Sequence, residues 1–339
     1  MRQSSLIILV PAITFLLIVL GAHSLHAAAP KGTLLVANKG EATLGIIDLS
    51  SGKQVAAIPE GGVTGHEVIA SPDGRFAYVP IYGNSGVGHP GTDGSNVVVI
   101  DVPSRKVVGN IDFGKGVRPH CPLIGPKNGL LYVSTELAKS ISIIDPATSK
   151  IVGSVPTGQD ESHMFAITHD GHRAYTANVG PGTVSVLDLD ARKTLAVIPV
   201  APQIQRISIS VDDKFVFTSD VSKPRLAVID TATNQLKTWI AMPGLGYGSM
   251  PTPDGKWLVI ALPQANKVAA IDLATMQVAH TVDVPPMPQE VLVAPDGGKA
   301  YVSCDQSGKV AVIDIADWKL EGTIDAGKGA DGLAWAAVK

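Results

Sequence analysis

A hydrophobic residue followed by aspartate recurs seven times along the chain, and this periodicity limits the folds that the sequence can adopt. The intervals are 53, 44, 43, 42, 42 and 42 residues, so only the first is irregular. A fixed period of this length marks a repeat architecture in which each unit packs against the next. The recurring residues are Asp48, Asp101, Asp145, Asp188, Asp230, Asp272 and Asp314.

Each repeat contains four short runs of strand-forming residues. One run precedes a turn such as "PDG" (72–74), a second follows it, a third ends at the recurring Asp, and a fourth follows a Lys-containing turn. The runs are rich in Val and Ile and lack helical periodicity. The recurring Asp is expected to cap backbone N–H groups of the next turn. Four antiparallel strands per repeat and seven repeats predict an all-β, seven-bladed β-propeller.

The two ends of the repeat region predict how the ring closes. "TLLVANKG" (33–40) matches the second strand of a repeat, and "GLAWAAV" (332–338) matches a first strand. The C-terminal strand is therefore expected to join the N-terminal strands in one blade, which removes free sheet edges. Residues 30–339 are predicted to form a single domain.

The first 29 residues have the pattern of a signal peptide. Arg2 is followed by an apolar stretch (6–21) and by small residues, with cleavage expected between Ala27 and Ala29. The alternative is an uncleaved anchor, but the stretch is shorter than the ~20 residues of a membrane span. The sequence thus predicts a periplasmic or secreted protein without a stable membrane anchor after cleavage.

Short motifs in the second strands carry a resemblance to a known family. "YVPI" (78–81), "YVST" (132–135), "YTAN" (175–178) and "YVSC" (301–304), with the "PDG" turns and "VID" strands, resemble the YVTN-type repeats of the YncE-like family. The resemblance covers roughly residues 33–338 and implies a seven-bladed propeller. Related propellers include lactonase-like proteins and lyases, and a shared fold does not choose among such functions.

Residues just before each inner strand are expected to form a ring around the pore, because equivalent positions of a closed propeller lie at one height. Neighbouring blades are about two strand spacings apart, on the order of 10 Å. Three neighbouring imidazoles with an open fourth position suit a Zn or Cu ion. The alternative is that the histidines bond the rim backbone. The ring consists of His66, His120, His163, Gln205, Tyr247, Gln289 and Asp331.

The next position in the register supplies the candidate catalytic residues. Glu67 and Glu290 could act as bases or bind a cation, and Arg206 could hold a carboxylate or phosphate. The alternative is a network of ion pairs inside the channel. Cys121 and Cys304 fall in distant blades, so they are predicted to remain unpaired.

One loop, residues 83–96, is much longer than its counterparts "LAKS" (137–140), "GPG" (180–182) and "QSG" (306–308). Extra length in one repeat usually falls on the binding face. Its five glycines allow close approach to a ligand, to which His89 and Asp93 could contribute side chains or a general base. The alternative is a surface insertion with no function.

Together these features predict an exported YncE-like propeller that binds a small ligand, with a metal ion, at the channel mouth under loop 83–96. A metal-dependent lactonase or lyase and a scaffold for a periplasmic protein are the alternatives. A nucleophile elbow, a phosphate-binding loop, a dinucleotide motif and a haem-attachment motif are all absent from the sequence. The net charge of −3 gives no support for nucleic-acid binding. The predicted ligand-binding residues are His89, Asp93, Gln205, Arg206, Tyr247, Gln289 and Asp331.

Overall fold

A computed structural model describes residues 32–337, so the predicted signal peptide (1–29) lies outside the described residues. The described chain forms seven four-stranded antiparallel sheets. The first strands of successive sheets contact one another around a complete circle. The fold is a seven-bladed β-propeller, as the repeats predict.

The blades are numbered in chain order and their strands run from the pore outward. Blade 1 contains β1 (Gly32–Asn38), β2 (Thr43–Asp48) and β3 (Lys53–Pro59), and blade 2 contains β4 (Ile69–Ala70), β5 (Phe76–Gly83), β6 (Asp93–Asp101) and β7 (Lys106–Asp112). Blade 3 contains β8 (Pro119–Ile124), β9 (Leu131–Thr135), β10 (Ser140–Asp145) and β11 (Lys150–Pro156). Blade 4 contains β12 (Ser162–Ile167), β13 (Arg173–Asn178), β14 (Thr183–Asp188) and β15 (Lys193–Pro199).

The remaining strands complete blades 5 to 7 and close the ring. Blade 5 contains β16 (Ile204–Ile209), β17 (Phe215–Asp220), β18 (Arg225–Asp230) and β19 (Gln235–Ala241). Blade 6 contains β20 (Ser249–Pro251), β21 (Trp257–Leu262), β22 (Lys267–Asp272) and β23 (Gln277–Asp283). Blade 7 contains β24 (Pro288–Val293), β25 (Lys299–Cys304), β26 (Lys309–Asp314) and β27 (Lys319–Asp325), and the closing strand is β28 (Ala330–Ala337).

The C-terminal strand β28 supplies the innermost strand of blade 1. It pairs antiparallel with β1, so that Gly32 lies opposite Ala337 and Leu35 opposite Ala334. The predicted closure is confirmed. Because the inner strand of this blade comes from the other end of the chain, β1 is paired on both of its edges.

Burial along the strands follows from their place in the blade. The second and third strands are almost wholly buried between neighbouring blades, whereas the outermost strands alternate between exposed and partly buried residues. The recurring Asp caps its turn as expected: Asp48 accepts a hydrogen bond from the Ser50 N–H and Asp145 one from the Ala147 N–H, both at 2.9 Å. Within residues 32–337, no helix is long and apolar enough to cross a membrane.

The connections between second and third strands differ among the blades and shape one face of the disc. Blades 3, 6 and 7 use single 3-10 turns, Glu136–Ala138, Pro263–Ala265 and Asp305–Ser307. Blade 2 uses the long loop. Its strands extend further than the sequence suggests, because β5 continues to Gly83 and β6 begins at Asp93. The segment without regular structure is therefore residues 84–92, within the predicted 83–96.

Candidate functional site

The three predicted metal-ligating histidines lie side by side at one end of the pore. The ring centroids of His66 and His120 are 5.6 Å apart, and those of His120 and His163 are 3.6 Å apart in a stacked arrangement. On the other side, His66 Nδ1 lies 3.8 Å from Asp331 Oδ2 of blade 1. The repeat register thus brings together side chains from four consecutive blades.

The other ring positions form a second contact group. Gln205 Nε2 donates a hydrogen bond to the Tyr247 hydroxyl at 3.0 Å. Gln289 is buried and its amide donates to the Met287 carbonyl at 3.4 Å. These predicted ligand-binding residues lie in the ring, with amide and hydroxyl groups already bonded to protein partners.

The stacking of His120 on His163 does not fit a shared metal ion. Their ring planes differ by only 29° at a centroid separation of 3.6 Å, and a nitrogen lone pair points along its own ring plane. One ion at the usual ~2.0–2.1 Å could not lie in both planes. In the described part of the chain, no group of three or more His, Cys, Asp or Glu side chains is arranged to hold a metal. Metal binding by His66, His120 and His163 stays a prediction, without support from this geometry.

Burial disfavours the protonated form of the three imidazoles. It lowers the pKa of His66 to about 4, against the opposing charge of Asp331. Burial also lowers the pKa of His120 and of His163, the latter despite the neighbouring Glu136. Nδ1 of both rings is buried without a hydrogen bond, and His163 Nδ1 lies 3.4 Å from Glu136 Oε2. Neutral imidazoles with unused ring nitrogens can donate to or accept from a ligand.

Arg206 crosses the pore and binds acidic residues from three other blades. Its Nη1 donates to Glu67 of blade 2 and, at 2.7 Å, to Glu290 of blade 7. Its Nη2 donates to Asp331 of blade 1 at 3.2 Å. Its guanidinium also lies 4.8 Å from the centre of the Tyr247 ring. The side chain is 4% exposed, so a single cation joins opposite sides of the disc.

Burial and the charge of Arg206 act in opposite directions on the pKa values of the carboxyl groups in this network. Burial raises the pKa of Glu67 to about 8 and also raises that of Glu290, although Arg206 opposes both shifts. Burial would raise the pKa of Asp331 as well, but Lys39 and Arg206 outweigh it and hold the pKa below its ordinary value. Glu67, Glu290 and Arg206 thus form the ion-pair network that was the alternative to a catalytic role.

Lys39 and Asp305 extend the network to the surface at the mouth. Lys39 Nζ lies 3.1 Å from Asp305 and 3.2 Å from Asp331. Burial would lower the pKa of Lys39, yet the two carboxylates raise it. The mouth therefore carries fixed, paired charges beside the neutral histidines.

The long loop of blade 2 is attached to blade 3 by the buried Arg118. Its Nη2 donates to the His89 carbonyl at 2.7 Å, Nη1 to the Gly86 carbonyl at 3.3 Å, and Nε to Asp93 at 2.6 Å. Nη1 also donates to Glu136 at 3.0 Å. Asp93 is therefore an anchor of the loop. The loop is held over the ring face by charge-assisted hydrogen bonds, which are stronger than neutral ones.

Glu136 connects the loop anchor to the histidines. Its Oε2 accepts a hydrogen bond from the Tyr82 hydroxyl at 2.6 Å, and the Tyr82 ring packs edge-on against His120 and His163 at 5.2 and 5.6 Å between centroids. Burial would raise the pKa of Glu136, but His163, Tyr82 and Arg118 outweigh it and lower the pKa. Glu136 is thus an ionised carboxylate within the protein.

A cavity of about 310 Å³ lies beneath the loop. Residues 88–90 of the loop form one side of the cavity, and its other sides come from blade 3 and from the segment that leads into blade 4. His89 lines this cavity, as its predicted ligand role requires, whereas the pore residues do not. The lining residues are Gly88, His89, Pro90, Arg118, Glu136, Leu137, Lys139, Asp160 and Glu161.

Sequence reasoning missed several residues that the repeat register could have revealed. The register position of Glu136, which directly follows the second strand in every blade except blade 2, is polar or aromatic-polar in blades 7, 1, 2 and 3 but apolar in blades 4, 5 and 6. In blade order from blade 1, this position holds Lys39, Tyr82, Glu136, Val179, Val221, Pro263 and Asp305. A second signal lies two residues before the ring position, where Arg118 and Glu161 replace uncharged residues of other repeats.

The two cysteines are both buried and unpaired, as predicted. Burial raises the pKa of the Cys304 thiol to about 12 and also raises that of Cys121. A thiol held protonated is a poor nucleophile and metal ligand. Neither cysteine contributes reactive chemistry to the mouth.

The fold is shared with two solved structures. Hydrazine synthase from Kuenenia stuttgartiensis is similar with a TM-score of 0.73 and 19% identity, over 88% of this chain and 99% of that chain. Dihydro-heme d1 dehydrogenase NirN, in complex with DHE, is similar with a TM-score of 0.64 and 17% identity, over 91% of this chain and 76% of that chain. No protein-family model and no curated protein matches the sequence, so the YncE-like assignment stays a resemblance. What these likenesses establish is the architecture: the chain is a seven-bladed β-propeller.

Proposed function

We propose that the protein is an exported binding protein that holds a small ligand in the cavity beneath the blade 2 loop. The observation that carries this proposal is the cavity of about 310 Å³, which lies against a loop attached by several hydrogen bonds from Arg118. This volume lies at the lower end of the ~300–1,000 Å³ typical of small-molecule sites. A loop fixed in advance lowers the entropy cost of binding.

Binding without chemical conversion is favoured because the carboxylates among the predicted acids and bases already have partners. Glu67 and Glu290 both bind Arg206, and Asp93 binds Arg118. A general base must be free to reach the proton that it removes. The structurally similar protein NirN is described as a complex with DHE. This supports the proposal that a propeller of this fold can hold a bound small molecule.

The proposal is tested by filling the cavity. Leu137 lines the cavity and is 46% exposed, whereas Leu195 is 43% exposed on the distant outer strand β15. Purified protein would be incubated with a small-molecule cell extract, recovered, and its bound compounds identified by mass spectrometry. At least one compound should be enriched on wild type and on Leu195→Trp, and reduced at least about tenfold on Leu137→Trp. No enrichment, or equal enrichment on Leu137→Trp, would contradict the proposal.

A Zn or Cu ion on His66, His120 and His163 is a separate part of the proposal and has its own test. Metal content after reconstitution, measured on wild type and His120→Ala, would support it at about one equivalent in wild type only. Less than about a tenth of an equivalent in wild type would remove the metal from the proposal.

A further inference from the structure

The charges that line the cavity are unbalanced. The cations Arg118 and Lys139 line it together with three carboxylates, of which two already have a partner. Glu136 binds Arg118, which also binds Asp93 outside the lining, and Asp160 lies 2.6 Å from Lys139. The remaining carboxylate, Glu161, makes no hydrogen bond or ion pair with the residues of 32–337. The cavity therefore has an excess of negative charge and one carboxylate available to a ligand.

Glu161 is held in place by backbone packing instead of by hydrogen-bond donors. Its own backbone is left-handed, with φ of 52°. A Cβ atom added to Gly88 of the loop would lie 2.6 Å from one carboxylate oxygen, and one added to Gly180 would lie 2.4 Å from the other. Two glycine segments, from blades 2 and 4, thus fix the carboxylate between them.

This arrangement is unfavourable without a counter-charge. Glu161 is half-buried, and an ionised carboxylate that loses part of its hydration is costly unless it gains an opposite charge. Lys139 does not supply that charge, because it pairs with Asp160 and both side chains are more than half exposed. An anionic ligand would be repelled by the excess carboxylates.

A metal cation fits the site poorly. A divalent ion held by protein oxygens takes several carboxylate or carbonyl ligands, whereas Glu161 is the one unpaired carboxylate of the cavity lining. No group of three or more metal-ligating acids, histidines or cysteines occurs within the described chain. A nitrogen cation needs only one or two carboxylate contacts.

We infer that Glu161 binds the positively charged nitrogen of a small organic amine, which occupies the cavity beneath the loop. This inference rests on the proposed function and names its ligand class. The small volume suits a molecule of the size of a short diamine or an amino acid. The ammonium or guanidinium group lies against Glu161, beside Gly88 of the loop.

The inference is tested by calorimetry with four probes at low ionic strength: putrescine, choline and arginine as amines, and succinate as an anion. The variant Glu161→Gln keeps the shape of the side chain and removes its charge. The control Asp283→Asn removes an exposed carboxylate of the outer strand β23, outside the cavity. At least one amine should bind wild type and Asp283→Asn with similar affinity, bind Glu161→Gln at least about tenfold more weakly, and weaken with added salt.

The outcomes separate this inference from the proposed function. If an amine binds wild type and Glu161→Gln equally, or if succinate binds and no amine does, the inference is wrong while the cavity remains a ligand site. If no probe binds but the compounds recovered from the extract are cationic and are lost from Glu161→Gln, the inference is supported. If those compounds are neutral or anionic, it is overturned. An extract that yields no bound compound, with no probe binding, overturns both.

Discussion

Arg118 and Arg206 are both buried, both have left-handed backbones, and both bind carboxylates, but they connect different parts of the protein. Arg206 donates to side chains of three other blades across the pore, whereas Arg118 donates to two backbone carbonyls of one loop as well as to Asp93 and Glu136. Left-handed backbone costs about 1–2 kcal/mol for a residue other than glycine. The comparison indicates that the Arg206 network connects blades of the propeller across the pore, whereas the Arg118 network attaches the extra loop of blade 2 to blade 3.

Removing Arg206 should have the largest effect on stability. Arg206→Met leaves Glu67, Glu290 and Asp331 buried together without their shared cation. The loss of one partner from a buried ion pair costs about 3–5 kcal/mol, and we expect a decrease of that size in the free energy of unfolding measured by chemical denaturation. Lys267→Met, which breaks the surface pair with the exposed Asp283, should cost about 1 kcal/mol or less. Equal losses for the two variants would contradict a structural role for the pore network.

The pore network should be stabilised by acid. The pKa of Glu67 is raised from 4.5 to about 8 in the folded protein. Its contribution is therefore fully present below its ordinary pKa and is lost as the pH rises toward the raised value. Wild type should lose stability over this range relative to Glu67→Gln, as measured by denaturation at a series of pH values. Parallel pH curves for the two proteins would show that Glu67 does not change its protonation on unfolding.

The histidines beside the Arg118 network should respond to pH in the opposite direction. Burial lowers the pKa of His163 below 6.5, so its contribution is present above its ordinary pKa and is lost as the pH falls through the lowered value. His163→Gln should therefore lose less stability than wild type on acidification from pH 6.5, which the same denaturation series measures. If His163→Gln and Glu67→Gln changed the pH dependence in the same direction, the contrast between the networks would fail.

Releasing the loop should have the smallest effect on global stability. Asp93→Asn weakens one anchor of Arg118 at a residue that is 35% exposed, so the free energy of unfolding should change by about 1 kcal/mol or less. Hydrogen exchange of residues 84–92 should nevertheless become faster, because local opening no longer breaks an ion pair. Asp160→Asn, on the cavity wall, serves as the control with unchanged exchange. Unchanged exchange in Asp93→Asn would show that other contacts hold the loop.

The sequence predicts the fold and the ring because both follow from the repeat register. A period near 42 residues sets the number of blades, and equivalent positions then meet at one height, which brought His66, His120 and His163 together. The register does not give the direction of a side chain. Arg118 lies two residues from His120, and its left-handed backbone, with φ of 51°, is not visible as a pattern. The stacking of His120 on His163 depends likewise on packing against Tyr82, which no spacing rule supplies.

The loop illustrates the same limit. Its length and glycine content predict a feature of the ligand-binding face, and His89 does line the cavity. Asp93 was predicted to bind a ligand, but its carboxylate faces Arg118, a residue of the next repeat. Pairing between blades depends on the three-dimensional neighbours of each side chain, and the order of residues within one repeat does not contain that information.

The pairing of Gly32 with Ala337 has a consequence for how the protein folds and unfolds. An open stack of repeats can fray from either end, one unit at a time, whereas a circle joined by its two chain ends has no terminal unit from which to begin. A nascent polypeptide that has emerged up to blade 7 still lacks the strand on which its first hairpin must settle. Closure of the ring therefore requires strand β28, and we expect the closed propeller to unfold as a single cooperative unit.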